Sequence, residues 1–152
     1  MSKEKEKGMS VLVKTITRLT VGLILLYGIY IVSHGHVSPG GGFAGGVIIT
    51  LSFVHLMLAY GKETAFKKLS RVQASLFENL GAVFFLGIAL LGFAWGAFFR
   101  NFIPKGDPFH LFSAGIIPLC NVAISLKVGA GLFAIFVALV LLKIKPKTEK
   151  KK

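Results

Sequence analysis

The chain has 152 residues, of which 54% are hydrophobic and 16% charged, and its mean hydropathy is +0.74. That apolar fraction exceeds what one soluble core of this size needs, which excludes an ordinary water-soluble globule. Eighteen Lys and Arg against six Asp and Glu leave a formal charge of +12, and on so apolar a chain this excess reports membrane topology, with no nucleic-acid partner expected.

A helix needs about 20 mostly apolar residues to cross about 30 Å of hydrocarbon. In chain order, residues 1–14 form a charged tail, the first span covers 15–33, the second 43–60, the third 80–99 and the fourth 116–142, and residues 143–152 are a basic tail. The first stretch is too long for the apolar core of a cleavable signal peptide and runs on into a Gly-rich turn. Pro118, near the start of the fourth stretch, predicts a break there, with the regular helix beginning around Asn121. The expected fold is an all-α integral membrane protein of about four transmembrane helices, with 15–142 as its membrane domain.

Charge sets the expected orientation. Lys62, Lys67, Lys68 and Arg71 lie between the second and third spans, against the single acid Glu63. Lys3, Lys5, Lys7, Lys14 and Arg18 mark the N-terminal end, and Lys143, Lys145, Lys147, Lys150, Lys151 and Lys152 the C-terminal end. The segment 34–42 has no Lys or Arg, and 100–113 has only Arg100 and Lys105, opposed by Asp107. The positive-inside rule therefore predicts a multi-pass protein of the cell membrane with both termini and the middle loop in the cytoplasm. Abundant Lys with little Asn, Gln or Cys leans toward a thermophilic or archaeal owner.

Enzyme chemistry has no visible kit. Gly40, Gly42 and Gly45 fit G-x-G-x-x-G, but no strand precedes them and no βαβ unit surrounds them. Walker, H-E-x-x-H and nucleophile-elbow motifs are missing, and Cys120 is the only cysteine, so no disulfide or multi-thiolate cluster can form. No catalytic residue, metal or cofactor is expected from these residues. His34, His36 and His110 fall near the outer face and, if they converged, would make a metal site for a membrane-embedded enzyme.

Ionisable groups inside apolar spans are the stronger candidates. Lys127 lies well within the fourth span, beside Gly129, Ala130 and Gly131. With no acid deep in any span, its counter-charge is expected from another polypeptide, which puts Lys127 at a subunit interface or an ion path; the alternative is a lysine that snorkels or binds backbone carbonyls. Glu78 is expected about one turn before the apolar core of the third span, as a cap or dipole partner. His55 in the second span is read as a proton relay or a helix-to-helix hydrogen bonder. Gly42 with Gly46, and Gly92 with Gly96, form G-x-x-x-G pairs suited to close helix packing. Phe84, Phe85, Phe93, Trp95, Phe133 and Phe136 are expected to face lipid or neighbouring subunits.

The least ordinary stretch is HGHVSPGGGFAGG, in which Pro39 fixes a turn and Gly40, Gly41 and Gly42 permit positive φ and close backbone approach. A tight outer hairpin loop is one reading, and a helix N-terminus offering free amides to an anion is another.

These residues resemble a known family, the B subunit of Mrp-type multi-subunit cation/proton antiporters, with its counterparts in archaeal membrane-bound hydrogenases and sulfane reductases. The resemblance rests on Gly28 and Tyr30 leading into His34, Gly35 and His36, then Pro39, Gly40, Gly41, Gly42 and Phe43 with Gly45 and Gly46. It continues through Gly115, Pro118, Asn121 and Lys127-Val128-Gly129-Ala130-Gly131, and covers roughly residues 15–142. It implies a non-catalytic packing and coupling subunit, whose partners are other membrane subunits and the bilayer, while sodium or another cation exchanges for protons through the assembled complex. Two rival readings remain from the residues: an autonomous homodimeric cation transporter, which needs a carboxylate deep in a span, and the outer-face metal enzyme.

Overall fold

The structure is a computed structural model that describes residues 9–61, 69–107, 110 and 113–143. Among these residues the regular elements are helical: α1 Val11–Ser33, α2 Gly41–Tyr60, α3 Arg71–Leu91 with a 3-10 turn Gly92–Trp95 continuing it, and α4 Ile117–Lys143. Each contains a run of 20 to 24 residues apolar enough to cross a bilayer. Helices answer the demand of hydrocarbon, where every backbone N–H and C=O must find its partner within the protein. The fold is the all-α membrane architecture that the apolar runs predict.

Two boundaries differ from the hydropathy reading. α3 starts at a reciprocal capping box: the Gln73 N–H donates to Ser70 Oγ at 3.2 Å, and the Ser70 N–H donates to Gln73 Oε1 at 2.9 Å. The third span therefore covers Val72–Trp95, not 80–99. α4 begins at Ile117 and shows no break at Pro118, which occupies the first helical turn, where its missing N–H has no intrahelical role. The Cys120 N–H already donates to Ile116 O at 3.1 Å. A turn leads into the helix, with Gly115 at φ 62° and the Ile116 N–H held by Asn101 Oδ1 at 3.1 Å.

α1 and α2 form an antiparallel hairpin. Its open end is tied by Met9 N–H to Ala59 O at 3.0 Å and by Tyr60 Oη–H to Lys14 O at 2.8 Å. α2 packs on α4 and α4 on α3, so the helices lie in the order α1, α2, α4, α3, with α1 also touching α4. Met57, Ala74, Phe133 and Val137 form a core where α2, α3 and α4 meet, and the Phe53 ring meets Phe133 edge-on at 6.0 Å. Phe133 is thus a core residue, contrary to its expected lipid-facing place. Large apolar side chains on every helix stay exposed, Leu19, Leu26, Leu51, Val83 and Leu139 among them, as surfaces meeting lipid or other helices require.

The Gly92 and Gly96 pair is also reassigned, because it shapes a turn instead of packing two helices. Gly92 lies against the returning backbone of Ala97, Phe99 and Arg100, and Gly96 adopts φ 102°. The Phe99 N–H then donates back to Ala89 O at 3.2 Å. Lys62, Glu63, Lys67 and Lys68 of the middle loop, residues 1–8 and residues 144–152 lie outside the described residues.

Candidate functional site

The glycines of the Pro-Gly block build one seam. Gly42, Gly46 and Thr50 of α2 lie against Asn121, Ser125 and Gly129 of α4, every pair 79 residues apart, so the two helices run parallel in register. The fourfold spacing on both helices is a small-residue ridge, and it brings the backbones together. A Cβ added at Gly42 would strike the Asn121 backbone, and one at Gly46 would sit 2.9 Å from Ser125 O. Polar groups cross the same seam. Asn121 Oδ1 accepts the Gly42 N–H at 3.3 Å, and the Thr50 hydroxyl lies 2.8 Å from Gly129 O and 2.9 Å from Gly46 O.

The loop above it is positioned by the end of α1. The His34 N–H donates to Tyr30 O, and the Val37 and Ser38 N–H groups both donate to His34 O, each at 2.9 Å. Gly40 and Gly41 then take φ values of 130° and 61°, which turn the chain into α2. Gly35 abuts Gly41 and the Asn121 amide, so the loop, α2 and α4 close on one side chain. Gly28 and Gly45 perform the matching task between α1 and α2, where Gly45 sits under Val32. Pro39 and Phe43 point outward and are exposed.

His34 and His36 each place a ring nitrogen against a backbone carbonyl. His34 Nδ1–H donates to Tyr30 O at 3.1 Å while its ring stacks on Tyr30 at 4.2 Å. His36 Nε2–H donates to the backbone O of His110 at 3.1 Å, so Nε2 carries a proton. Among the described residues no three His, Cys, Asp or Glu side chains converge as a metal-binding group, so the three-histidine site is not formed. Among the described residues His36 Nδ1 and Asn121 Nδ2 are buried without a protein partner, His36 following Gly35 in the chain and Asn121 Nδ2 lying against Gly35.

His55 binds the hairpin together. Its Nε2 lies 3.2 Å from Thr17 Oγ1 and 3.4 Å from Thr20 Oγ1 on α1. Thr17, Thr20, Thr50 and Ser125 are polar members of the seams that the sequence did not single out. The available signal was spacing: Thr50 follows Gly46 by four residues, and Ser125 follows Asn121 by four.

The second seam, α3 on α4, gives Lys127 an acid that the span boundaries read from the sequence did not place within its reach. The early start of α3 brings Glu78 inside the third span, about 9 Å from its beginning at about 1.5 Å per residue. Its Oε1 lies 3.8 Å from Lys127 Nζ, so the lysine has an acid within its own chain. Gly131 adjoins the Glu78 carboxylate, and Gly81 lies against the backbones of Ala123 and Lys127, where a Cβ would come within 2.8 Å. At 3.8 Å the pair exceeds the roughly 2.7–2.9 Å of a charge-assisted hydrogen bond. The two side chains remain 55% and 39% exposed, lysine first, in a span where each isolated charge costs at least about 2.5–3.5 kcal/mol.

A family model described as a domain related to the MnhB subunit of Na+/H+ antiporter matches residues 12–134. This chain belongs to that family. The match takes in α1, α2, α3 and most of α4, so both seams of this MnhB-related domain lie within it. In the structure of the membrane-bound sulfane sulfur reductase, an archaeal respiratory membrane complex, one chain superposes with a TM-score of 0.72 at 31% identity, covering 90% of this chain and 62% of that one. The uncharacterized protein MJ1307 of Methanocaldococcus jannaschii is 36% identical over 121 residues, 72% of this chain and 44% of its own length. A Staphylococcus aureus protein named as antiporter subunit mnhB2 is 39% identical over 59 residues, 39% of this chain and 42% of its own. The MnhB-related chain thus spans less than half the length of these two relatives. With four apolar spans and relatives in membrane complexes, it is a multi-pass membrane protein.

Proposed function

We propose that this chain is a non-catalytic membrane subunit of an Mrp-type antiporter module, through which sodium or another monovalent cation exchanges for protons. The module is either free-standing or built into an ion-pumping respiratory complex of the sulfane reductase or hydrogenase kind. The observation that carries this reading is the family match over residues 12–134, which includes all the tight glycine contacts of the α2/α4 seam. The large apolar side chains left exposed on every helix support a packing role, since they leave faces for neighbouring membrane subunits. The basic middle loop and tails support a cytoplasmic location for both termini.

Purification from the native membrane in mild detergent tests the proposal. The chain is expected to co-migrate with large antiporter-like membrane subunits. Recovery only as an isolated species, with those subunits present in the same extract, would end it. The autonomous-transporter reading gains the acid it required, because Glu78 lies inside a span. The adjacent Lys127 opposes it by compensating that charge. Cation transport by liposomes containing this chain alone would replace the subunit reading with that one.

A further inference from the structure

We propose that the turn after α3 binds the phosphate of an anionic membrane lipid through Arg100, with the exposed rings of Phe93, Trp95 and Phe98 set among the acyl chains beside it. The inference is independent of the subunit reading. Depth comes first. The span Val72–Trp95 has 24 residues, about 36 Å at about 1.5 Å per residue, against about 30 Å of hydrocarbon. Trp95 therefore reaches the head-group boundary, at the end of α3 away from the basic middle loop. There the chain folds back through Gly96 at φ 102° and Phe99 at φ 59°, a backbone angle uncommon for a bulky residue. Ring contacts hold that shape: Phe99 lies 5.3 Å from Phe85 and 5.0 Å from Phe98, Phe98 lies 5.6 Å from Phe93, and Trp95 stacks on Phe102 at 5.1 Å. Phe93, Trp95 and Phe98 nonetheless stay 59%, 51% and 53% exposed.

Arg100 carries a charge that nothing nearby cancels. Its side chain folds over Gly96, with Nη1 3.2 Å from where a Cβ would stand, and remains exposed. Asp107 is the only acid between α3 and α4 and makes no ion pair with it among the described residues. A guanidinium offers five N–H donors in a planar fork that matches the oxygens of a phosphate. Water would satisfy that fork but leave three large rings in an aqueous layer. A lipid at the boundary supplies both surfaces at once, acyl carbon for the rings and an anion for the fork, and aromatic residues with arginine are the usual anchors of a span end at this depth.

Trp95 is the only tryptophan of the chain, so its fluorescence reports on this turn. The full chain is reconstituted in mixed vesicles of phosphatidylcholine and phosphatidylglycerol, with brominated, quenching acyl chains on one lipid or the other. Quenching is expected to show about fivefold enrichment of phosphatidylglycerol beside Trp95. Arg100→Gln is expected to abolish the preference, Arg100→Lys to keep part of it, and Lys105→Gln, at an exposed cation of the same loop, to leave it intact. Equal quenching by the two lipids in the unaltered chain, or a preference that survives Arg100→Gln, overturns the proposal. A preference lost equally in Lys105→Gln reduces it to general charge attraction and also overturns it. A second measurement needs no change at Arg100: a photo-crosslinking residue at Phe98, in the chain within its native membrane, is expected to capture lipid. Capture only of another protein would overturn the lipid as occupant, whether or not the chain co-migrates with other subunits.

Discussion

The two seams that α4 makes differ in how they treat polar groups, although both use glycine to bring backbones together. Against α2, Asn121 Oδ1 accepts the Gly42 N–H and the Thr50 hydroxyl donates to Gly129 O across the seam, with Asn121 Nδ2 the one amide atom there left without a protein partner among the described residues. Against α3, Glu78 and Lys127 meet at 3.8 Å and remain open to the surroundings. A polar group satisfied inside a membrane helix pair stabilises that pair. A charged group left half-covered in hydrocarbon has a cost that only another polar surface removes. The first seam therefore serves this chain's own fold, and the second points outward.

The largest expected effect breaks the closed seam. Gly42→Leu drives a side chain into the Asn121 backbone and separates the Gly42 N–H from Asn121 Oδ1. A loss of about 3 kcal/mol or more is expected from overpacking where rigid backbone is the obstacle. Thermal unfolding of the purified chain in detergent would register it as a large fall in Tm, and an unchanged Tm would show that α2 and α4 do not meet at this position.

A smaller effect isolates one hydrogen bond of the same seam. Thr50→Val keeps the shape but removes the hydroxyl that lies against Gly129 O and Gly46 O. Interhelical hydrogen bonds in membranes average about 0.6 kcal/mol and reach about 1.7, so the same melt is expected to show a modest fall. A loss as large as that of Gly42→Leu would mean that the hydroxyl, and not the backbone approach, holds the seam.

How legible these seams were differs for the same physical reason. Apolar runs report residence in hydrocarbon, so the four spans and the Gly42–Gly46 contact were readable from the sequence. Helix starts are set by local hydrogen bonds, which hydropathy does not measure. Ser70 and Gln73 cap α3 within a polar stretch that reads as loop, and the eight residues from Arg71 to Glu78 are helical despite their charges. Missing that cap is what left Lys127 without an acid. Pro118 misled in the opposite direction, since a proline breaks a helix interior but fits the first turn. The convergence of Gly35, Gly41 and Gly42 on Asn121 joins residues 79 and more positions apart, and in the sequence only the family resemblance pointed to that set.

The smallest effect sharpens the comparison by asking which glycines belong to neither seam. A Cβ added at Gly22 in α1 or at Gly87 in α3 would meet nothing within 4 Å. Each lies inside a helix, where glycine is less favourable than alanine by about 0.5–1 kcal/mol. Gly22→Ala and Gly87→Ala are therefore expected to raise the Tm of the isolated chain slightly, the reverse of a substitution at Gly42. The contrast depends only on what each added methyl group touches. A fall in Tm at either position would mean that the helix packs there against something the row α1, α2, α4, α3 does not contain, and the division into an inward seam and an outward one would need redrawing around that contact.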